Sequence, residues 1–81
     1  MRVSLTPVAA REYEGLPRVI RGRVLGIFER LARWPEVSGA KPMSGELAGL
    51  HRLRTGDYRV LFRVEGERVL VVRIGHRKDI Y

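Results

Sequence analysis

The stretch HRLRTGDYRVLFRV (residues 51–64) decides how the second half of this chain folds. Tyr58, Val60, Phe62 and Val64 recur at every second position, and Arg59, Leu61 and Arg63 take the places between them. Successive strand side chains point to opposite faces, so this period predicts one face under a core and one face of arginines. LHRLRT (residues 50–55) repeats the pattern, with Leu53 on the core side and Leu50, Arg52 and Arg54 opposite. Thr55, Gly56 and Asp57 between the two runs supply turn chemistry, so the pair reads as an antiparallel hairpin.

Working outward, EGE (residues 65–67) turns the chain again and RVLVVRI (68–74) forms the next strand. Strict alternation places Leu70, Val72 and Ile74 in the core and turns Val69, Val71 and Arg73 away. Upstream, residues 35–49 carry Pro35, Gly39, Pro42, Gly45 and Gly49, the composition of a long irregular connection. Before it, Ile20, Val24, Ile27, Phe28 and Leu31 share one face of a helix from Arg18 to about Trp34. Gly22 and Gly26 each lower that helix's stability by about 1 kcal/mol relative to alanine. Ala9, Tyr13 and Leu16 mark a shorter helix, opened by Thr6 and Pro7 and ended by Gly15 and Pro17, and RVSLT (2–6) is a first strand. The expectation is an α+β domain of order β-α-α-β-β-β in two layers. Helices pack on one face of a mainly antiparallel four-stranded sheet, with a basic face opposite.

All of this fits one domain over residues 1–81 with a single core. Sixteen Lys and Arg against nine Asp and Glu leave a net charge of +7, which selects anionic partners, nucleic acid first. Without cysteine there is no disulfide framework and no thiolate metal site, and two histidines distant in sequence do not make one. No metal and no small-molecule cofactor are therefore expected. Nor is there a run of 18 apolar residues or a signal-peptide core, so no membrane association is expected and the chain reads as cytoplasmic.

Arg52, Arg54, Arg59, Arg63 and Arg73 should converge on the sheet face away from the helices, with Leu50, Leu61 and Val71 among them. Guanidinium groups held side by side repel one another, and a fold gains little from the arrangement unless an anion sits between them. Phosphate fits, because the planar guanidinium fork engages two of its oxygens at once. The tail IGHRKDIY (residues 74–81) should bring His76, Arg77, Lys78 and Tyr81 to the edge of that face, where imidazole, guanidinium and phenol can handle protons and charge at a phosphodiester. The duller reading, a solvated polar face, remains open on alternation alone.

Residues 41–81 resemble the RelE branch of the RelE/ParE toxin superfamily. LRTGDYRVLF followed by VLVVRIGHRKDIY carries the resemblance, and the first half of the chain matches in layout. It implies a toxin encoded beside a RelB-like antitoxin, which enters the ribosomal A site and cuts mRNA there without a metal. On that resemblance Arg59, Arg77 and Tyr81 fall on the family's catalytic positions, and His76 is a further proton-transfer candidate. Arg52 falls where some members have a basic residue on the same strand, and Arg54 is basic beside it; by their place on the basic face and tail, Arg63, Arg73 and Lys78 complete the expected RNA-binding set. Leu50 stands where the best-known members have a lysine, and the segment from Arg77 to Tyr81 is shorter than theirs. A ParE-like inhibitor of DNA gyrase, or a non-catalytic nucleic-acid-binding member, is the alternative.

Overall fold

The computed structural model describes residues 1–81. Strand β1 (Arg2–Leu5) leads into helices α1 (Pro7–Glu14) and α2 (Arg18–Leu31). Four strands follow: β2 (Lys41–Pro42), β3 (His51–Thr55), β4 (Tyr58–Glu65) and β5 (Arg68–His76). They form one sheet in the order β1-β5-β4-β3-β2, antiparallel except where β1 runs parallel to β5. The α+β, helices-on-one-face architecture is as expected, with one correction to the strand count. Lys41 and Pro42 pair with Arg52 and His51 and add a fifth, two-residue strand inside the stretch read as irregular, and a single 3₁₀ turn (Gly45–Leu47) follows it.

Local chemistry sets these elements. Thr6 Oγ1 accepts the Ala9 N–H at 3.1 Å, and Pro7 occupies the first turn of α1, where its missing N–H leaves no bond unmade. Gly56 and Gly66 open the two tight hairpin turns at φ 57° and 58°, while the residue after each keeps a negative φ. Positive φ at the first of two turn residues alone is the pattern of a II′ turn, whose twist matches the flanking strands.

The core lies between helices and sheet. Val24, Ile27 and Leu31 of α2 and Ala9 of α1 pack on Leu53, Val60, Phe62, Val69, Val71 and Ile74. Trp34, just beyond α2, stands edge-on to both His51 and Phe62. Full burial of a side chain such as Phe62 or Leu53 is worth about 1.5–3 kcal/mol each, so this layer carries most of the stabilisation.

Register on β5 corrects the strict alternation. Leu61 pairs with Arg73, but the next β4 residue, Phe62, pairs with Val71, so Val72 is an extra residue in β5. Such a bulge flips the parity on one side of it. Ile74 stays in the core, while Val69 and Val71, expected outside, are fully buried and replace Leu70 and Val72 there. A third correction concerns the other face. Leu61 is buried although it points away from the helices, and Ile80 of the tail is buried too, lying over Gly75 with its Cβ 3.6 Å from where a Gly75 Cβ would stand. The tail thus covers part of a face expected to be open.

Where β1 stops, β5 continues with an unpaired edge. Thr6 N–H donates to Val71 C=O, and the Glu12 carboxylate then accepts the Ile74 N–H at 2.9 Å. Glu12 of α1 thereby does a strand's work for one residue.

Candidate functional site

The β3–β4 hairpin and the tail after β5 build the site together. Arg54 and Arg59 lie directly opposite one another, as do Arg52 and Leu61, so the expected arginine face exists on these two strands. Directly opposed like charges weaken a sheet, and the fold keeps this pair without a carboxylate within 4.0 Å of either. Arg59 is 8% exposed; its guanidinium turns back over the hairpin and donates to Gly56 C=O at 3.1 Å and Tyr58 C=O at 3.3 Å. Its Nε is buried with no hydrogen-bond partner. A buried, always-charged group held by two carbonyl dipoles and no counter-ion is the feature of this face that structural needs explain least.

Other arginines of the expected set are occupied. Arg63 and Arg68 share the Glu65 carboxylate, and those two hydrogen bonds, first Arg68 and then Arg63, hold Glu65 below the usual carboxylate range. Arg73 pairs with Glu12 at 3.1 Å. Arg52, Arg54 and Arg59 are the three of the five sheet arginines without an acidic partner.

The tail is tied to the hairpin turn by its backbone. Arg77 N–H donates to Asp57 C=O at 2.8 Å, and Asp79 and Ile80 N–H groups donate to His76 C=O. Asp57 also faces the Arg77 Nε at 3.6 Å and His76 Nε2 at 4.0 Å. Lys78 N–H donates to His76 Nδ1 at 3.1 Å, so in the neutral ring the proton sits on Nε2, toward Asp57. His76 pairs with Tyr58 across the strands and stacks edge-on to it at 5.4 Å, which places it on the helix side rather than at the edge of the arginine face. Arg77 and Lys78 are exposed just beyond. Beyond Ile80 the chain reaches the arginine face itself, where Arg52 approaches the Tyr81 hydroxyl as donor at 3.4 Å, a weak contact longer than the usual N–H···O bond.

The structure thus brings Arg52, Arg54, Arg59 and Tyr81 to one face and puts Arg77, His76 and Lys78 at the adjoining turn. Arg63 lies further along β4 against Glu65, and Arg73 lies against Glu12. Sequence reading missed the part of Glu12, because only folding brings it 61 positions along the chain to Arg73. No group of three or more His, Cys, Asp or Glu side chains is gathered as a metal ligand set. No helix is long and apolar enough to cross a membrane.

The family model described as the ParE toxin of type II toxin–antitoxin systems matches residues 3–81, and this chain belongs to that family, on its RelE side. Toxin RelG of Mycobacterium tuberculosis is 40% identical over 98% of this chain and 93% of its own length. Toxin RelE of the same organism is 35% identical over 98% of this chain and 84% of its own. Among solved structures, the toxin–antitoxin complex RelBE2 of M. tuberculosis matches at 37% identity with a TM-score of 0.81, over 96% of this chain and 92% of that one. The isolated Escherichia coli RelE toxin shares the fold, with a TM-score of 0.77 at 16% identity over 93% of this chain and 82% of that one.

Proposed function

We propose that this toxin is a ribosome-dependent mRNA endonuclease that cleaves in the A site by attack of an RNA 2′-hydroxyl on the adjacent phosphate. The oxygen–phosphorus bond to the 5′ leaving oxygen breaks as the 2′ oxygen bonds to phosphorus, leaving a cyclic phosphate and a 5′-hydroxyl end. The reaction needs a proton acceptor for the 2′-hydroxyl, a proton donor for the leaving oxygen, and fixed positive charge for the pentacovalent dianion. Arg59 and Arg77 supply the charge, while Arg52 and Arg54 position the backbone. Tyr81 is the proton-handling group in reach of Arg52, since a phenol oxygen both gives and accepts protons. His76 faces the helix side with its Nδ1 lone pair taken up by Lys78 N–H, which favours a role in holding the tail over one in catalysis. Arginine itself stays protonated and acts by charge.

The observation that carries this reading is Arg59, buried, without a counter-ion and with an unpartnered Nε, on the same face as the Arg52–Tyr81 contact. An acidic, partly apolar RelB-like antitoxin is the partner that would silence such a surface, and the relative at 37% identity was solved in complex with its antitoxin. Cytoplasmic action follows from a ribosomal target. The family model's ParE description favours a second reading, inhibition of DNA gyrase. Incubating the antitoxin-free protein with programmed ribosomes and, separately, with purified gyrase decides between them: mRNA cut in the A site with gyrase unaffected supports the nuclease.

A further inference from the structure

At the β2 edge of the sheet lies a cavity of ≈ 430 Å³ lined by Arg30, Gly39, Lys41, Arg52, Leu53 and Arg54. Four cations line it and none has a carboxylate within 4.0 Å. The larger cleft on the molecule, between Met1, Arg2 and Glu67, includes the Glu67 carboxylate among its lining groups, so it is not purely cationic.

The cations reach this place from three elements. Arg30 comes from the last turn of α2 and is held by its bond to Ser38 C=O, Lys41 comes from β2, and Arg52 and Arg54 come from β3. Backbone geometry adds a donor. Met43 N–H bonds to Leu50 C=O, and main-chain groups of alternate residues in a strand point the same way, so Arg52 and Arg54 turn their N–H groups toward the β2 side. Lys41 meets Arg52, but β2 begins there and no strand residue stands opposite Arg54. Gly39, at φ 86°, passes this point without a side chain to fill the space.

We infer that this cavity is a second anion subsite, which grips an RNA backbone phosphodiester away from the scissile one, using Arg30 and Lys41 together with Arg54. It rests on the RNA-directed reading above but not on the cleavage chemistry. Repulsion among four unpaired cations is relieved by a bound phosphate, and arginine forks from α2 and β3 can approach it from two sides. Its sharing of Arg52 with Tyr81 makes the cavity continuous with the proposed reaction site, so one strand of RNA can occupy both.

The test is anisotropy titration of the antitoxin-free protein with a short single-stranded RNA made uncleavable by a 2′-deoxy substitution, across a salt series, and in parallel with purified small ribosomal subunits. Lys41→Gln and Arg30→Gln are compared with the parent. Lys41 makes no side-chain hydrogen bond, so its variant keeps the test valid even if Arg30→Gln disturbs the Ser38 turn. Losing one phosphate contact should weaken binding several-fold at low salt and flatten the slope of log affinity against log salt by about 0.7. Loss with the free oligonucleotide assigns the phosphate to mRNA; loss only with the subunit assigns it to ribosomal RNA. Parent-like affinity and slope for Lys41→Gln with both probes overturns the proposal. Failure of the cleavage reading is separable, because it would leave this uncleavable-RNA titration unchanged.

Discussion

Arg52 and Tyr81, 29 residues apart in sequence, meet on the sheet face away from the helices, with Arg52 donating to the phenol oxygen at 3.4 Å. The contact exists because the tail is pinned twice on the way, by Arg77 N–H on Asp57 and by Ile80 over Gly75. Tyr81→Phe removes the hydroxyl and keeps the ring, so the fold should be unaffected. If the phenol handles a proton, single-turnover cleavage should fall about 10²–10⁴-fold, whereas His76→Gln should lose far less. Single-turnover rates of the two variants on programmed ribosomes check this ordering.

Replacing Arg54 with glutamate should separate stability from function. Opposite charge facing Arg59 across the hairpin should raise stability by about 0.2–1 kcal/mol, read as a higher Tm. The same change should weaken RNA binding, because it removes an unpaired cation and adds an anion. An unaltered Tm would mean that Arg59, turned toward Gly56 and Tyr58, does not feel its neighbour.

The bulge at Val72 makes a test of packing. Val71→Ala should destabilise the fold by about 1–3 kcal/mol, since Val71 is wholly buried under the helices. Val72→Ala should change stability distinctly less, because Val72 is only half-buried. Denaturant titrations of both variants measure the difference, and equal losses would contradict the register.

These residues also show what could be read in advance. On β3 and β4 the arginines recur at every second position, with Leu61 the apolar residue among them, so Leu53, Val60 and Phe62 could be assigned to the core and Arg52, Arg54 and Arg59 to the other face. VLVV (residues 69–72) has no such alternation, and a single inserted residue inverts its parity without leaving a mark in composition. The two-residue strand β2 is shorter than any periodic signal. Glu12 beside Arg73, Ile80 over Gly75, and Arg30 and Lys41 beside Arg54 are products of tertiary placement. No local spacing encodes them.

Gly22 and Gly26 have nothing within 4 Å of where a Cβ would stand. Gly22→Ala and Gly26→Ala should therefore each stabilise α2, by up to about 1 kcal/mol, through its greater helix propensity and a less disordered unfolded chain. Thermal melts of the single and double variants measure this, with near-additive gains expected.

Glu65 should make part of the stability pH-dependent. Its folded-state pKa is lowered by hydrogen bonds from Arg68 and Arg63, so the folded state binds its proton less readily than the unfolded chain. The stabilisation is present above the ordinary carboxylate range and is lost as pH falls through the lowered value. Glu65→Gln should be less stable than the parent near neutrality and should converge with it in acid. Parallel stability curves across that range would contradict the assignment.

Single-turnover cleavage of ribosome-bound mRNA by Arg59→Ala, measured beside its thermal melt and beside Val60→Ala, tests the central claim most directly. Arg59 and Val60 are neighbours in sequence on opposite faces of β4, so the two variants should fail in opposite ways. Arg59→Ala should stay folded and lose about 10²–10³-fold in rate, the usual effect of removing one charge-stabilising donor. Val60→Ala should lose about 1–3 kcal/mol of stability and cleave at nearly the parent rate while folded. Cleavage by folded Arg59→Ala at the parent rate would contradict the assignment of this face as the nuclease site.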